Sequence, residues 1–173
     1  MRRLRVYMII GALFTIVVGS IAHFLYDLSG NNVLIGLITP VNESIWEHMK
    51  LVFFPMLIYT LLISYKIKNQ YPSSIAALCI GNIIGTILVP ILFYLYIAII
   101  GKDLLPLDLT CFIASIVIGF IVAYKLSTLD KLYKYRNLIY VIIAIIIGCF
   151  LIFTYYPPNL TIFSDADAKE LSK

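Results

Sequence analysis

Residues 74–100 read SIAALCIGNIIGTILVPILFYLYIAII and contain no charged side chain. A helix needs about 20 mostly apolar residues to cross a hydrocarbon core about 30 Å thick, and this run exceeds that length. Further apolar runs of similar length occupy residues 6–26, 45–65, 107–124 and 138–156. Their apolar character is continuous, whereas transmembrane β-strands alternate over segments of about ten residues. The sequence therefore predicts an all-α polytopic transmembrane helix bundle with five spans.

The composition supports the same class of protein. Hydrophobic residues make up 62% of the chain and charged residues 13%, against roughly half and a quarter in soluble domains. The five spans leave almost no chain for a soluble domain. We therefore expect one transmembrane domain over residues 1–173 that contacts the lipid bilayer on all sides.

The distribution of charge predicts the orientation, because Lys and Arg accumulate in short cytoplasmic loops. With the N-terminus inside, most of the basic residues fall on the cytoplasmic side: Arg2, Arg3, Arg5, Lys66, Lys68, Lys125, Lys131, Lys134 and Arg136. We predict an N-in, C-out topology with an extracytoplasmic tail at 157–173, whose charged end from residue 165 we expect to be disordered. Because the basic residues are spread over short loops, they argue against nucleic-acid binding.

Two further patterns concern how the spans connect and pack. Residues 29–32 read SGNN and predict a turn, and the apolar run at 33–38 is too short to span, so we expect a short interfacial or re-entrant segment between spans 1 and 2. Gly81 and Gly85 in span 3 form a small-residue ridge. Such a ridge predicts close packing with another helix, either within the bundle or in a homodimer or partner subunit.

The densest polar stretch of the chain is TPVNESIWEHMK, at residues 39–50. Ser44 and Glu47 have the spacing of a capping box, which predicts that a helix begins here. Continued helical spacing would place Glu43, Glu47 and Lys50 on one face and Ser44 and His48 on the next. Helix initiation alone does not explain why Glu43, His48 and Lys50 occur together.

Span 1 carries a ridge that leads to this stretch, because small or polar residues recur at every fourth position and end in His23 and Asp27. If spans 1 and 2 meet, two histidines and three carboxylates collect at the extracytoplasmic end. The leading hypothesis is a polar pocket there that binds or transports a small solute or ion. Its candidate residues are His23, Tyr26, Asp27, Asn42, Glu43, Ser44, Glu47 and His48.

The residues alone allow three other interpretations. They do not decide whether the protein is an enzyme. The nitrogen and oxygen donors of His23, Asp27, Glu43 and His48 suit a divalent metal such as zinc. With such a metal, Glu43 or Glu47 would be the general base of a membrane-embedded hydrolase. A third interpretation is an accessory subunit without site chemistry.

The segment HFLY at 23–26, the pair SG at 29–30 and the run PVNESIWEHMKL at 40–51 resemble the signature of a family of small five-helix bacterial membrane proteins of unknown function. The C-terminal FT, PP, Phe163 and Asp165 are similar to that family's ending, but ADA at 166–168 stands where members continue with Pro and a Thr-Gly-x-Tyr-Gly element. The resemblance implies a bacterial cell membrane and no particular activity. A more distant similarity, to hydrolases related to alkaline ceramidases, accompanies the hydrolase alternative.

Overall fold

The chain forms five long helices and short connecting elements. The computed structural model describes residues 2–164, except the side chains of residues 130 and 131; the predicted disordered end at 165–173 lies outside the described part. The elements are α1 (Arg2–Leu28), α2 (Val33–Gly36), α3 (Ile45–Ile67), α4 (Ser74–Ile100), α5 (Leu105–Leu126) and α6 (Arg136–Phe153), with 3-10 helices at Asp130–Tyr135 and Thr161–Phe163. Five of the described helices are long and apolar enough to cross a membrane. For the described residues, the predicted all-α class and the five long apolar helices are confirmed.

The long helices match the predicted spans or extend beyond them by up to four residues, except at the end of α6. This helix ends at Phe153, three residues before the predicted end. The residue that precedes a proline is disfavoured in the helical conformation, and Tyr156 precedes Pro157. Pro157 also has no N–H to donate to the carbonyl oxygen of Phe153, so the helix ends at that residue.

Helix α3 is the central element of the bundle. In its most apolar 18-residue stretch, 61% of the residues are buried, whereas the corresponding share in the other four long helices is 17% to 28%. Helices α1 and α4 both pack on α3, and α5 packs on both α1 and α4, so these four helices form a ring. Helix α6 lies outside the ring against α4, and its buried Phe150 packs on Phe53 of α3. The outward faces carry large exposed apolar side chains such as Leu13 and Leu61, as expected for contact with lipid.

The closest helix pair is α4 with α5, and glycines make it possible. A Cβ added to Gly119 would lie 2.7 Å from the carbonyl oxygen of Gly81, and one added to Gly85 would lie 3.0 Å from the carbonyl oxygen of Ser115. The small-residue ridge predicted in α4 therefore packs against a helix of the same chain. A partner subunit that docked on Gly81 and Gly85 would have to displace α5.

One end of the bundle is covered by the segment before α3 and by the C-terminal segment. A turn with positive φ at Gly30 and Asn31 leads into the four-residue helix α2, whose Val33 and Leu34 are exposed. On the other side of α3, the ring of Phe163 packs on Trp46 at a centroid distance of 4.8 Å. The ends of α1 and α4 and the starts of α3 and α5 meet at one end of the bundle.

A candidate binding cavity at one end of the bundle

The approach of α1 to α3 places His23. Gly11, Thr15 and Gly19 are buried along one face of α1, and a Cβ added to Gly19 would lie 2.5 Å from the carbonyl oxygen of Leu51. That carbonyl lacks its usual helical donor because Pro55 has no N–H. Glycine thus lets α1 lie directly against α3, and His23, one turn further along, reaches the first turn of α3.

Ser44 starts α3 and fixes the geometry of its first turn. Its Oγ accepts a hydrogen bond from the backbone N–H of Glu47 at 3.4 Å, and the Oδ1 of Asn42 accepts one from the backbone N–H of Ser44 at 3.0 Å. Ser44 is therefore the N-cap, as predicted, but the reciprocal half of the capping box is absent, because the Glu47 carboxylate accepts from the backbone N–H of Val41 instead. The ring Nδ1 of His48 lies 2.9 Å from the carbonyl oxygen of Ser44, so the cap also orients the imidazole.

His23, Glu43 and His48 meet at this point. The Oε2 of Glu43 lies 3.3 Å from the Nε2 of His48 and 3.8 Å from the Nε2 of His23. The two imidazole rings are 5.2 Å apart, centroid to centroid, in an edge-on arrangement. All three side chains remain partly exposed, from 31% for His48 to 49% for Glu43.

Glu43 is a carboxylate at neutral pH. The hydrogen bond with His48 lowers the pKa of the Glu43 carboxyl, burial opposes this effect, and the charges of His48 and His23 lower the pKa further. A carboxyl whose pKa is lowered on folding stabilises the fold above its unfolded pKa and loses that contribution as the pH falls through the folded value. The negative charge at this position therefore persists into mildly acidic conditions.

A second group of acidic residues lies across the same end. The buried hydroxyl of Tyr96 contacts the Oδ1 of Asp103 at 2.7 Å and also contacts the Oδ1 of Asp108. The hydroxyl has one proton and can donate it to only one of these carboxyl groups at a time. Asp103 is exposed, so water can also solvate these carboxyl groups.

Between the two groups lies a cavity of about 710 Å³. Its walls come from α1, the start of α3, the end of α4 and the start of α5, and most of its lining is apolar or aromatic, including Phe24, Phe93 and Phe112. His23, Glu43 and His48 line one part of it, and Asp103 and Asp108 line another. The cavity thus has apolar walls and titratable groups at defined positions.

The other predicted site residues do not line this cavity. Asp27 is exposed at the end of α1 and lies outside the group of His23, Glu43 and His48. Tyr26 packs beside Gly36 of the covering segment. The side chains of Asn42 and Ser44 accept hydrogen bonds from backbone N–H groups at the start of α3.

Glu47 belongs to a separate, buried ion pair with Lys50. The two charged atoms are 2.7 Å apart, and the side chains are 2% and 0% exposed. The Nζ of Lys50 also donates to the carbonyl oxygens of Gly36 and Thr39, and the Oε2 of Glu47 accepts from the backbone N–H of Val41. The pair therefore holds the segment that covers this end of the bundle.

The prediction that Glu43, Glu47 and Lys50 share one helical face is wrong. Helix α3 begins at Ile45, so Glu43 precedes the cap and does not follow helical spacing. Glu43 turns toward the histidines, while Glu47 and Lys50 face the covering segment. The polar stretch at residues 39–50 therefore contributes to two separate groups, the contact of Glu43 with the histidines and the buried ion pair of Glu47 with Lys50.

Sequence reasoning missed Asp103, Asp108 and Tyr96 as site residues. They lie 48 to 60 residues from His48 in the chain, so no local spacing connects them. The order of the spans could have identified them. In a five-span topology, the end of span 3 and the start of span 4 lie on the same side of the membrane as the start of span 2. That rule places both aspartates at the end of the bundle that contains Glu43.

A family model described as "Family of unknown function (DUF6512)" matches residues 1–170. The chain belongs to this family. The match extends over every residue that lines the cavity of this DUF6512 protein, and the prediction of a family without an assigned function is confirmed. No curated protein and no solved structure matches the chain.

Proposed function

We propose that this integral membrane protein binds a small solute or ion in the cavity, as a transporter or receptor for such a solute would. The observation that carries the proposal is the cavity itself, because its titratable groups come from separate segments of the chain yet face one space. Its volume of about 710 Å³ falls within the range of ligand pockets, about 300 to 1,000 Å³. Mostly apolar walls with a few placed polar groups are also typical of such pockets.

The charge of the lining favours a cation. Three carboxyl groups, those of Glu43, Asp103 and Asp108, face two imidazoles, so the cavity is net negative when the histidines are neutral. Carboxylates inside a membrane protein mark ion or substrate pathways. The aromatic side chains suit an organic cation with an apolar body, since aromatic faces attract ammonium groups.

The charge of the loops supports an extracytoplasmic position for the cavity. Lys and Arg are concentrated at the opposite end of the bundle, near the start of α1 and the ends of α3 and α5. That distribution is expected of the cytoplasmic side. The proposed solute would therefore enter from outside the cytoplasm.

Binding of three aromatic probes tests the proposal. Benzylamine, benzyl alcohol and benzoate share a ring and differ in charge, and we expect the protein in lipid nanodiscs to bind them with affinity decreasing in that order. Asp108→Asn and Glu43→Gln should each reduce the preference for the amine over the alcohol by about 1.4- to fivefold, because a partly exposed charge pair contributes about 0.2 to 1 kcal/mol. Saturable binding can be measured by ligand-observed NMR against empty nanodiscs.

The matched control is Asp27→Asn, which removes an exposed carboxylate at the same end without touching the cavity lining. This variant should keep the wild-type order and affinities. Equal binding of the three probes, or no saturable binding by the wild-type protein, would contradict the proposal. An equal loss of preference in Asp27→Asn would show that surface charge, and not the cavity, selects the amine.

The hydrolase alternative loses two of its predicted components. Asp27 is not grouped with the histidines, and Glu47 is neutralised by Lys50. Glu43 is then the only one of the two proposed bases that lies beside the histidines, and as a third ligand it would not also be a separate general base. Solute binding therefore accounts better for the described residues.

A further inference from the structure

Resting on the proposed function, we propose that His23, Glu43 and His48 bind one divalent transition-metal ion of the zinc type. Glu43 and His48 come from the start of α3, and His23 comes from the end of α1. The ion would occupy one wall of the cavity and would keep an open coordination position toward it. It would then be either the bound ion itself or the anchor for a solute.

The separations between the donor atoms fit one ion. Two ligands that are each about 2.0 to 2.1 Å from a tetrahedral metal lie about 3.3 Å apart. The Oε2 of Glu43 is 3.3 Å from one Nε2 and 3.8 Å from the other. One ligand atom from each of the three residues falls within 4.8 Å of the others, so small side-chain rotations would complete the site.

The tautomer of His48 is set for metal binding. A carbonyl oxygen only accepts hydrogen bonds, so the Nδ1 of His48 must carry the proton that it shares with Ser44 at 2.9 Å. The Nε2 faces Glu43 and donates to its carboxylate when the ring is protonated. A metal ion would replace that proton and bind the Nε2 lone pair. Metal-bound histidines characteristically donate their other ring N–H to a carbonyl or carboxylate in this way.

The cap at Ser44 makes this orientation rigid. Ser44 is 2% exposed, and Asn42 accepts the hydrogen bond of its backbone N–H. The carbonyl that holds His48 is therefore fixed by the start of α3. Asn42 and Ser44 are positioning residues for the site.

The donor set also indicates the class of metal. Two imidazoles and one carboxylate suit zinc, copper or nickel, whereas calcium and magnesium take oxygen ligands. Three protein ligands leave a fourth position of a tetrahedral ion open. Because His23, Glu43 and His48 all line the cavity, an added solute can reach that position.

The test is metal titration of purified protein that carries no polyhistidine tag and has been stripped with EDTA. We expect one equivalent of Zn²⁺ per chain by isothermal titration calorimetry, and Co²⁺ should produce the visible absorption of a tetrahedral ion. Glu43→Ala, His23→Ala and His48→Ala should each weaken Zn²⁺ binding by at least about 100-fold, the upper end of the losses caused by outer-shell changes. Asp27→Asn should bind Zn²⁺ like the wild type.

Glu43→Ala keeps the test decisive if a histidine variant fails to fold, because the Glu43 side chain is 49% exposed and its removal leaves the packing intact. Failure to bind Zn²⁺ stoichiometrically, or unchanged binding by Glu43→Ala, would overturn the metal site. The benzylamine titration on the same stripped protein separates the two proposals. Benzylamine binding without Zn²⁺ binding would overturn only the metal site, whereas loss of both would overturn the proposed function as well.

Discussion

Replacing Lys50 with methionine should destabilise the protein by about 3 to 5 kcal/mol, the usual cost of removing one partner from a buried ion pair. The loss arises because Glu47 is 2% exposed and would keep a buried carboxylate without a cation. The hydrogen bonds from Lys50 to the carbonyl oxygens of Gly36 and Thr39 would also be lost. Unfolding in mixed micelles, followed by circular dichroism, measures the change.

Two variants define the cause. Lys66→Met removes an exposed lysine from the far end of the same helix and should change stability by less than about 1 kcal/mol, as surface substitutions usually do. Lys50→Met combined with Glu47→Leu should recover much of the loss, since an apolar replacement of both partners is often neutral. If Lys50→Met behaved like Lys66→Met, the buried pair would not be what holds the covering segment in place.

Replacing Gly81 with alanine should destabilise the protein by about 1 to 3 kcal/mol or more, the range for overpacking. A Cβ at this position would collide with the backbone carbonyl of Gly119 and lie 2.9 Å from the Cβ of Ala123. Backbone cannot move aside as a flexible side chain can, so α4 and α5 must separate. Because α5 carries Asp108, benzylamine binding should weaken together with stability.

Gly148→Ala is the matched control for Gly81→Ala. It is the same substitution in a long helix, but a Cβ at Gly148 meets nothing within 4 Å. Alanine is favoured over glycine in a helix by about 0.5 to 1 kcal/mol, so this variant should be neutral or slightly stabilised. Equal effects of the two substitutions would contradict the close contact between α4 and α5.

The fold was predictable because its signal is local. Each span is a continuous apolar run, and the start of α3 is marked by Ser44 within three residues of Glu47. The ridge of α1 was also readable, since helical spacing holds throughout that helix. The direction of the Glu43 side chain could not be predicted, because Glu43 precedes the N-cap and helical periodicity does not extend to it.

The buried state of Lys50 was equally hidden from the sequence. Its partners include the carbonyls of Gly36 and Thr39. Pro40 has no N–H to donate to Gly36, and Thr39 lies beyond the end of α2. Nothing in the local pattern indicates that a lysine three residues from a glutamate will be fully enclosed. The contribution of Asp108 depends on the packing of α5 against α1 and α4, which is a tertiary property.

The central claim is that α1 and α3 bring His23 and His48 together beside Glu43. The chain contains only two histidines, so selective protonation of histidine in an otherwise deuterated protein leaves only two imidazole rings visible by NMR. With ring centroids 5.2 Å apart, we expect a nuclear Overhauser cross-peak between the two rings, and it should disappear in His23→Phe. Separate signals from the two imidazole rings without a cross-peak between them would contradict the contact between His23 and His48. The cavity and its proposed metal ion both depend on that contact.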